Sequence, residues 1–287
     1  MPFLTIFTPV YNRAYIISQL YQSLCRQTCR DFEWVVVNDG STDDIDSLMA
    51  RFMAEGRINI RYFTQPNGGK HRAINRGVSE ARGSLFFIVD SDDYLTDDAV
   101  EWIRETSTPI LDNDRFCGLS GIRINPDGKK IGGGEDFGII DTNALDIRYK
   151  YLINGDLAEI FKTSALRECR FPEFEGEKFC PEALVWNRLA DKYLLRYCHK
   201  GIYVCDYLSD GLTAKITQIR RNSPRASMTY YSELYHKSLP LKSKVKAAIN
   251  FWRFAGAKYQ SEYRMLSIIS LLAWLPGKIM RIKERKI

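Results

Sequence analysis

Four short apolar runs open the chain, each stopped by a polar, turn-forming cluster, and this alternation constrains the fold more than any other feature. Phe3–Phe7 ends at Thr8-Pro9-Val10-Tyr11-Asn12-Arg13, and Glu33–Val37 ends at Asn38-Asp39-Gly40-Ser41. Ile58–Phe63 ends at Gln65-Pro66-Asn67-Gly68-Gly69, and Leu85–Val89 runs straight into Asp90-Ser91-Asp92-Asp93. Between the runs, Ala14–Gln27 carries Ile16, Ile17, Leu20, Tyr21 and Leu24 at helical spacing. A second helix passes through Phe52 and Met53 with Ser41 or Thr42 as its N-cap, and a third spans about Lys70 to Glu80. Continuous apolar strands separated by amphipathic helices predict an α/β fold whose mostly parallel sheet is covered on both faces. Right-handed crossovers then place the loops after these strands on one edge, the carboxyl edge, where open α/β sheets bind ligands.

The rest of the chain is less regular. Ile131–Gly138 reads as a mobile loop, Leu157–Phe161, Tyr193–Tyr197 and Ile202–Tyr207 as strands, and Pro181–Asp191 as a helix. Ser209–Arg225 reads as a polar, basic loop, and the chain is helical from Tyr230 onward. At 287 residues with 45% hydrophobic content the chain is long enough to bury a core without a disulfide or metal staple. Its 7 cysteines show no framework or zinc spacing, and the amino terminus carries no signal-peptide pattern, so a reducing, cytoplasmic setting is expected.

Charge is unevenly spread. Residues 237–287 hold 12 Lys/Arg against Glu262 and Glu284, a balance of +10, whereas the preceding residues balance at −4. A mildly acidic body with a basic tail argues against nucleic acid as partner and for a tail that meets an anionic surface.

The polar residues of the carboxyl edge are chemically useful ones: Tyr11, Asn12, Asp39, Asn67, Lys70, Asp90 and Asp92. Two carboxylates in Asp90-Ser91-Asp92, leaving a buried strand, suit a hard cation such as Mn²⁺ or Mg²⁺ that also takes phosphate oxygens. The same residues also fit a solvated acidic turn, with Asp93, Asp97 and Asp98 as helix caps. Asp39 is placed either to accept the imide N–H of a uracil or thymine ring or to cap the following helix. Tyr11 is placed either to stack on a base, with backbone groups of Thr8 and Val10 reading its edge, or to pack in the core. No Gly-x-x-x-x-Gly-Lys-Ser/Thr loop and no Gly-x-Gly-x-x-Gly after the first strand is present, which argues against P-loop and classical dinucleotide enzymes. With 3 histidines and no Gly-x-Ser-x-Gly elbow, hydrolase chemistry lacks support.

Together, Thr8-Pro9-Val10-Tyr11-Asn12, Val36-Val37-Asn38-Asp39-Gly40-Ser41-Thr42-Asp43, Asn67-Gly68-Gly69, Asn75-x-Gly77 and Asp90-Ser91-Asp92-Asp93 resemble the family 2 glycosyltransferases with the GT-A fold. The resemblance is strong over about residues 1–115 and patchy to about 235. It implies a GT-A domain over 1–235, with a nucleotide-binding half at 1–115 and an acceptor half at 116–235, followed by a basic helical tail at 236–287. It also implies a metal-dependent, inverting transfer from a nucleotide-sugar donor, most simply a UDP-sugar, to a glycan or lipid-linked glycan. The implied donor-binding set is Thr8, Pro9, Tyr11, Asp39, Asn67, Lys70, Asn75, Asp90, Ser91, Arg220 and Arg221. In this reading Asp39 holds the base and Asp90 the ribose side. Asp92, with Asp90 as a possible second ligand, holds the metal. The general base falls at Glu182, with Glu177 as the alternative; Ala183 stands where the family's acidic pair would place an aspartate. That departure keeps open a second class, a non-catalytic nucleotide-sugar or glycan-binding module.

Met265–Gly277 is an uncharged run of 13 residues, shorter than the roughly 18–20 needed to span a bilayer. With Trp252, Trp274 and flanking cations it reads either as an interfacial helix lying on anionic lipid or as a helix packed on the catalytic domain. The first reading places the enzyme peripherally at the cytoplasmic face of the membrane.

Overall fold

The computed structural model describes residues 1–205, 216–255 and 268–284. In chain order the elements are β1 (Leu4–Val10), α1 (Ser18–Cys25), β2 (Phe32–Asn38), α2 (Ile45–Glu55), β3 (Ile60–Thr64), α3 (Lys70–Glu80), β4 (Leu85–Ile88), β5 (Tyr94–Leu95) and α4 (Ala99–Ser107). They continue with β6 (Phe116–Ile124), β7 (Ile139–Thr142), α5 (Asp146–Tyr149), β8 (Leu157–Lys162), α6 (Thr163–Glu168), α7 (Glu182–Leu189) and β9 (Leu194–Val204). Helices α8 (Ile216–Asn222), α9 (Pro224–His236), α10 (Leu241–Phe254) and α11 (Ile268–Lys283) complete the described chain.

The chain divides into two compact units, Met1–Arg170 with Arg188–Leu208, and Phe171–Asn187 with Ser209–Ile287. The first unit holds the whole sheet, in the order β3-β2-β1-β4-β8-β6-β9-β5, with β7 pairing β9. Strands β1 to β4 pair in parallel, as their continuous apolar runs predict. β8 enters antiparallel to both β4 and β6, which makes the sheet mixed on its far side. β1 lies between β2 and β4, and its Leu4, Ile6 and Val10 share one core with Trp34, Tyr21 and Phe87. The Trp34 indole N–H donates to the Thr8 hydroxyl at 2.9 Å, so this buried polar pair is satisfied inside the core.

Several local expectations are corrected. α2 begins at Ile45 with Asp44 at its N-cap, not Ser41 or Thr42. Those two residues instead hold the loop after β1: the Asn12 backbone N–H donates to Ser41 Oγ, and the Thr42 N–H donates to Asn12 Oδ1. The Ala14 N–H donates to Asp43, which leaves Ala14–Ile17 as a turn and starts α1 at Ser18. β6 has no counterpart among the expected strands. Its two glycines disguise it, yet they are what lets it sit between β8 and β9, because a Cβ on Gly118 would lie 2.0 Å from the Ile160 carbonyl oxygen. The two strands expected over 193–207 are one strand, β9, bent by register shifts against β6; residues 206 and 207 lie outside the described residues. Of the expected 209–225 loop, residues 216–222 form α8, and residues 209–215 also lie outside.

In the second unit α9, α10 and α11 pack in sequence, and residue 235, where the sequence reading ends the catalytic domain, lies within α9. Trp252 on α10 donates its indole N–H to Ser270 on α11 at 2.9 Å. Arg221 of α8 and Arg253 of α10 both meet the Glu284 carboxylate just after α11.

Close approach of α3 to β1 rests on Gly77, where a Cβ would lie 2.2 Å from the buried Phe7 ring. Gly77→Ala should therefore lower the unfolding free energy by about 1–3 kcal/mol, as overpacked cores do. Gly133→Ala meets nothing within 4 Å and should be near neutral. Denaturant unfolding of the two variants checks this; equal midpoints would contradict the packing.

Candidate active site at the carboxyl edge of the sheet

The loops that leave β1, β2, β3 and β4 are tied to one another by backbone and carboxylate hydrogen bonds. The Asp39 N–H donates to the Val10 carbonyl at 2.8 Å, joining the ends of β2 and β1. The Asp39 carboxylate, 4% exposed, accepts from Gln65 Nε2 at 2.7 Å, Gly68 N–H at 2.9 Å and Gly69 N–H at 2.7 Å. Asn67 Nδ2 donates to the Asp39 carbonyl at 2.9 Å. Asp39 thus fixes the glycine turn that starts α3, rather than capping α2, the helix that follows it. The turn's Gly69 sits at φ +94°, a conformation open to glycine. Asn12 at φ +53° turns the β1 loop outward, and Tyr11 stands half-exposed at its crest. Thr8 and Pro9 lie within β1, paired with Val36 and Val37, and Asn75 is buried on α3.

After β4 the chain makes a turn in which the Asp93 N–H donates to the Asp90 carbonyl at 3.2 Å. Three carboxylates thereby share a small volume with the buried Ser91. Cations from three other elements meet them. Lys70, the first residue of α3, stands 2.6 Å from Asp90. Arg13, from the β1 loop, stands 3.6 Å from Asp92, and Arg123 of β6 stands 3.8 Å from Asp93. The Tyr203 hydroxyl of β9 accepts the Asp90 N–H at 2.9 Å and donates to Asp93 at 2.8 Å. Arg123 lies 4.2 Å above the Tyr203 ring.

Electrostatics separate the carboxylates. Burial raises the Asp90 pKa, but Lys70, Arg123 and Arg13 together outweigh it and hold the group below its ordinary range. Burial and the Asp90 charge push Asp93 up to about 7, against Tyr203 and Arg123. Asp92 is about a quarter exposed, and its ion pair with Arg13 at 3.6 Å is longer than a hydrogen bond. This leaves carboxylate oxygen for a hard cation. The donor set therefore fits Mn²⁺ or Mg²⁺ held by one or two carboxylates with phosphate oxygens completing the sphere. Among the described residues no cluster of three His, Cys, Asp or Glu forms a protein-only metal cage.

The remaining sequence-selected residues lie in the second unit. Glu177 is buried, and its carboxylate accepts the Arg225 and Ala226 N–H groups at 2.7 and 2.9 Å, capping α9. Glu182 opens α7. Arg221 is engaged by Glu284. Arg220 sits 5.3–5.6 Å from the rings of Phe179, Tyr230 and Tyr231, and its buried Nη1 has no hydrogen-bond partner among the described residues.

Sequence reasoning missed Arg13, Arg123 and Tyr203. Arg13 adjoins a recognised motif and was within reach. Arg123 and Tyr203 come to Asp93 only through the pairing of β6 with β9, which no local pattern reveals.

This arrangement, parallel strands β1 to β4 within a mixed sheet, an acidic turn after β4 and a loop after β3 fixed by Asp39, has the plan of a GT-A-type fold. Residues 5–120 match the model for Glycosyl transferase family 2. Hyaluronan synthase of Pasteurella multocida is 27% identical over 97% of this chain and 28% of its own length. Chondroitin synthase of P. multocida (strain Pm70) is 36% identical over 47% of this chain and 14% of its own length. The chain thus spans less than a third of these two relatives. S. aureus TarS 1–349 in complex with UDP-GlcNAc superposes with TM-score 0.64 at 18% identity, covering 96% of this chain and 79% of that one. Mannosyltransferase PcManGT from Pyrobaculum calidifontis, in complex with GDP-Man and Mn²⁺, gives TM-score 0.55 at 16% identity over 99% of this chain and 88% of that one. Residues 5–120 are thus a glycosyl transferase family 2 segment.

A second titrating carboxylate lies farther along the sheet. Burial pushes Glu159 on β8 up to about 7, against the opposing charges of Arg148, 3.5 Å away, and Arg123. An unfolded glutamate titrates near ~4.3. The folded chain therefore keeps a proton that the unfolded chain releases. The stability this gives is full below about pH 4 and is lost as pH rises through about 7. Glu159→Gln should gain on wild type in thermal stability between pH 5 and pH 8, by at most about 1.4 kcal/mol per pH unit. A difference constant across that range would contradict the assignment.

Proposed function

We propose that this chain transfers a sugar, with inversion, from a UDP-sugar to a glycan or lipid-linked glycan in cell-surface polysaccharide synthesis. The observation that carries the reading is the acidic turn Asp90–Asp93 set beside the Asp39 knot on one sheet edge, within the segment that matches the family model. The UDP-GlcNAc complex of TarS and the Pasteurella polysaccharide synthases support the donor and acceptor classes.

In this reading Tyr11 stacks on the base, and the loop fixed by Asp39 and Asn67 frames its edge, with Thr8 and Pro9 as its floor. Asp90 faces the ribose, and Ser91 and Asn75 support the walls. Asp92, with Asp90 beside it, holds Mn²⁺ or Mg²⁺, which when bound offsets charge on the diphosphate. Lys70 and Arg220 supply further positive charge to the departing phosphate, and Arg220 has an unpaired buried nitrogen to offer. Arg221 is held by Glu284 and supports Arg220 from the same helix. Glu182 takes the proton from the acceptor hydroxyl as its oxygen bonds to the anomeric carbon and the bond to UDP breaks. Glu177 is committed to α9, which favours Glu182 as the base.

The basic C-terminal region attaches the enzyme to the anionic cytoplasmic leaflet, near a lipid-linked acceptor. Its balance of +10 supports this, since each Lys/Arg near such a surface contributes about 1 kcal/mol. Among the described residues no helix is long and apolar enough to cross a membrane.

Two measurements test the activity. Calorimetry with UDP should show binding to wild type and at least about tenfold weaker binding to Asp39→Ala, because that variant frees both the loop and the base edge. Incubation with a panel of nucleotide sugars and Mn²⁺ should show slow donor hydrolysis that Glu182→Gln lowers by about 100-fold or more while donor affinity stays within about twofold. Binding without any turnover would instead favour a non-catalytic nucleotide-sugar-binding module.

A further inference from the structure

Helix α11 packs the wrong way round for an ordinary surface helix. Its inward face is small: Ser270 and Ala273 are buried, and a Cβ on Gly277 would lie 2.7 Å from both the Ile249 carbonyl oxygen and Trp252 Cβ of α10. Glu284, about two turns beyond Gly277, continues that face by receiving Arg221 and Arg253. The large apolar side chains therefore point away. Leu271 is 64% exposed, Leu272 74%, Leu275 58% and Ile282 57%. At 100° per residue Leu271, Leu275, Ile279 and Ile282 fall on one strip, opposite the line through Ser270, Ala273 and Gly277. Trp274 and Lys278 border the strip on one side, with Lys278 6.0 Å from the Trp274 ring, and the exposed Lys283 borders it on the other.

Folding alone does not explain this arrangement, because burying the leucines against α10 would contribute more than burying serine, alanine and glycine. A contiguous exposed apolar strip marks a surface that something covers. The charge around it selects the occupant. The strip lies in a segment with 12 cations against two acids, and its flanking residues are lysine and tryptophan, the pair suited to lipid headgroups. We propose that the outward face of α11, through Leu271, Leu272, Leu275, Ile279 and Ile282, inserts into the interfacial layer of an anionic bilayer, with α11 lying in the membrane plane. The inference rests on the membrane reading above and goes beyond it. Attachment is then apolar insertion through one defined helix face, guided by charge, rather than electrostatic adsorption of the whole basic segment. The sixteen described residues of α11 at about 1.5 Å each span about 24 Å, short of the ~30 Å hydrocarbon core, which suits a helix lying on the membrane.

The test uses full-length protein and vesicles of phosphatidylcholine, with and without phosphatidylglycerol. Wild type should bind the anionic vesicles and should resist complete removal by high salt. Leu271→Glu/Leu275→Glu, at exposed positions, should bind UDP as wild type does yet partition roughly tenfold or more weakly. Lys242→Glu/Lys246→Glu should lose mainly the salt-sensitive component. Brominated anionic lipid should quench a fluorescence component that Trp274→Phe removes, a readout that stands if the leucine variant misfolds. If the leucine variant binds as well as wild type while the lysine variant does not, basic attachment survives and the insertion face is overturned. If wild type ignores vesicles, both readings fail. A wild-type dimer by light scattering that the leucine variant dissociates, without vesicle binding, would show that a second copy covers the face.

Discussion

Three carboxylates within four residues leave a single buried strand end, and the architecture of the first unit depends on how their mutual repulsion is contained. Lys70, Arg13 and Arg123 arrive from α3, the β1 loop and β6, each within 4 Å of a different aspartate. Tyr203 bridges the turn from β9 by accepting one hydrogen bond and donating the other. Like charges this close cannot all remain ionised without such partners. The proton that Asp93 keeps toward neutral pH and the depressed pKa of Asp90 are two consequences of the same crowding. The cations hold the acidic turn in shape, while Asp92, about a quarter exposed and 3.6 Å from Arg13, keeps carboxylate oxygen for an incoming cation.

Asp39 has the corresponding role on the neighbouring loop. Its carboxylate organises the loop between β3 and α3 from inside, so the edge that would face a base is a fixed backbone surface rather than a mobile carboxylate. The two clusters are joined through Lys70, whose backbone begins the helix that the Asp39-bound turn starts and whose ammonium pairs with Asp90. A change at either aspartate should be felt at the other through this helix start.

The first half of this arrangement was legible in the sequence because each parallel strand is a continuous apolar run and each polar stop is local. Period and turn chemistry alone bring Tyr11, Asp39, Asp90 and Asp92 to one edge. Beyond residue 115 local signals conflict with tertiary needs. Gly118 and Gly121 weaken the strand pattern of β6, yet they admit neighbours too close for any side chain. The partners of Asp93 come from 30 and 110 residues away in sequence, a juxtaposition set by strand order. The sequence puts the base at Glu182 with Glu177 as the alternative, both acids near a helix start. The hydrogen bonds of Glu177 to the first turn of α9 commit it to a structural role that no sequence pattern shows. The basic tail was visible as a charge imbalance, but the inversion of α11 depends on which face meets α10.

The β4 turn and its neighbours are proposed above to form a metal-assisted nucleoside diphosphate site. Electron paramagnetic resonance of Mn²⁺ titrated into the full chain measures it directly, because protein-bound Mn²⁺ loses the sharp signal of the free ion. Mn²⁺ alone should bind weakly, binding should approach one ion per chain once UDP is present, and Asp92→Asn should lose that UDP-dependent binding. Mn²⁺ binding that ignores UDP, or that survives unchanged in Asp92→Asn, would contradict the assignment.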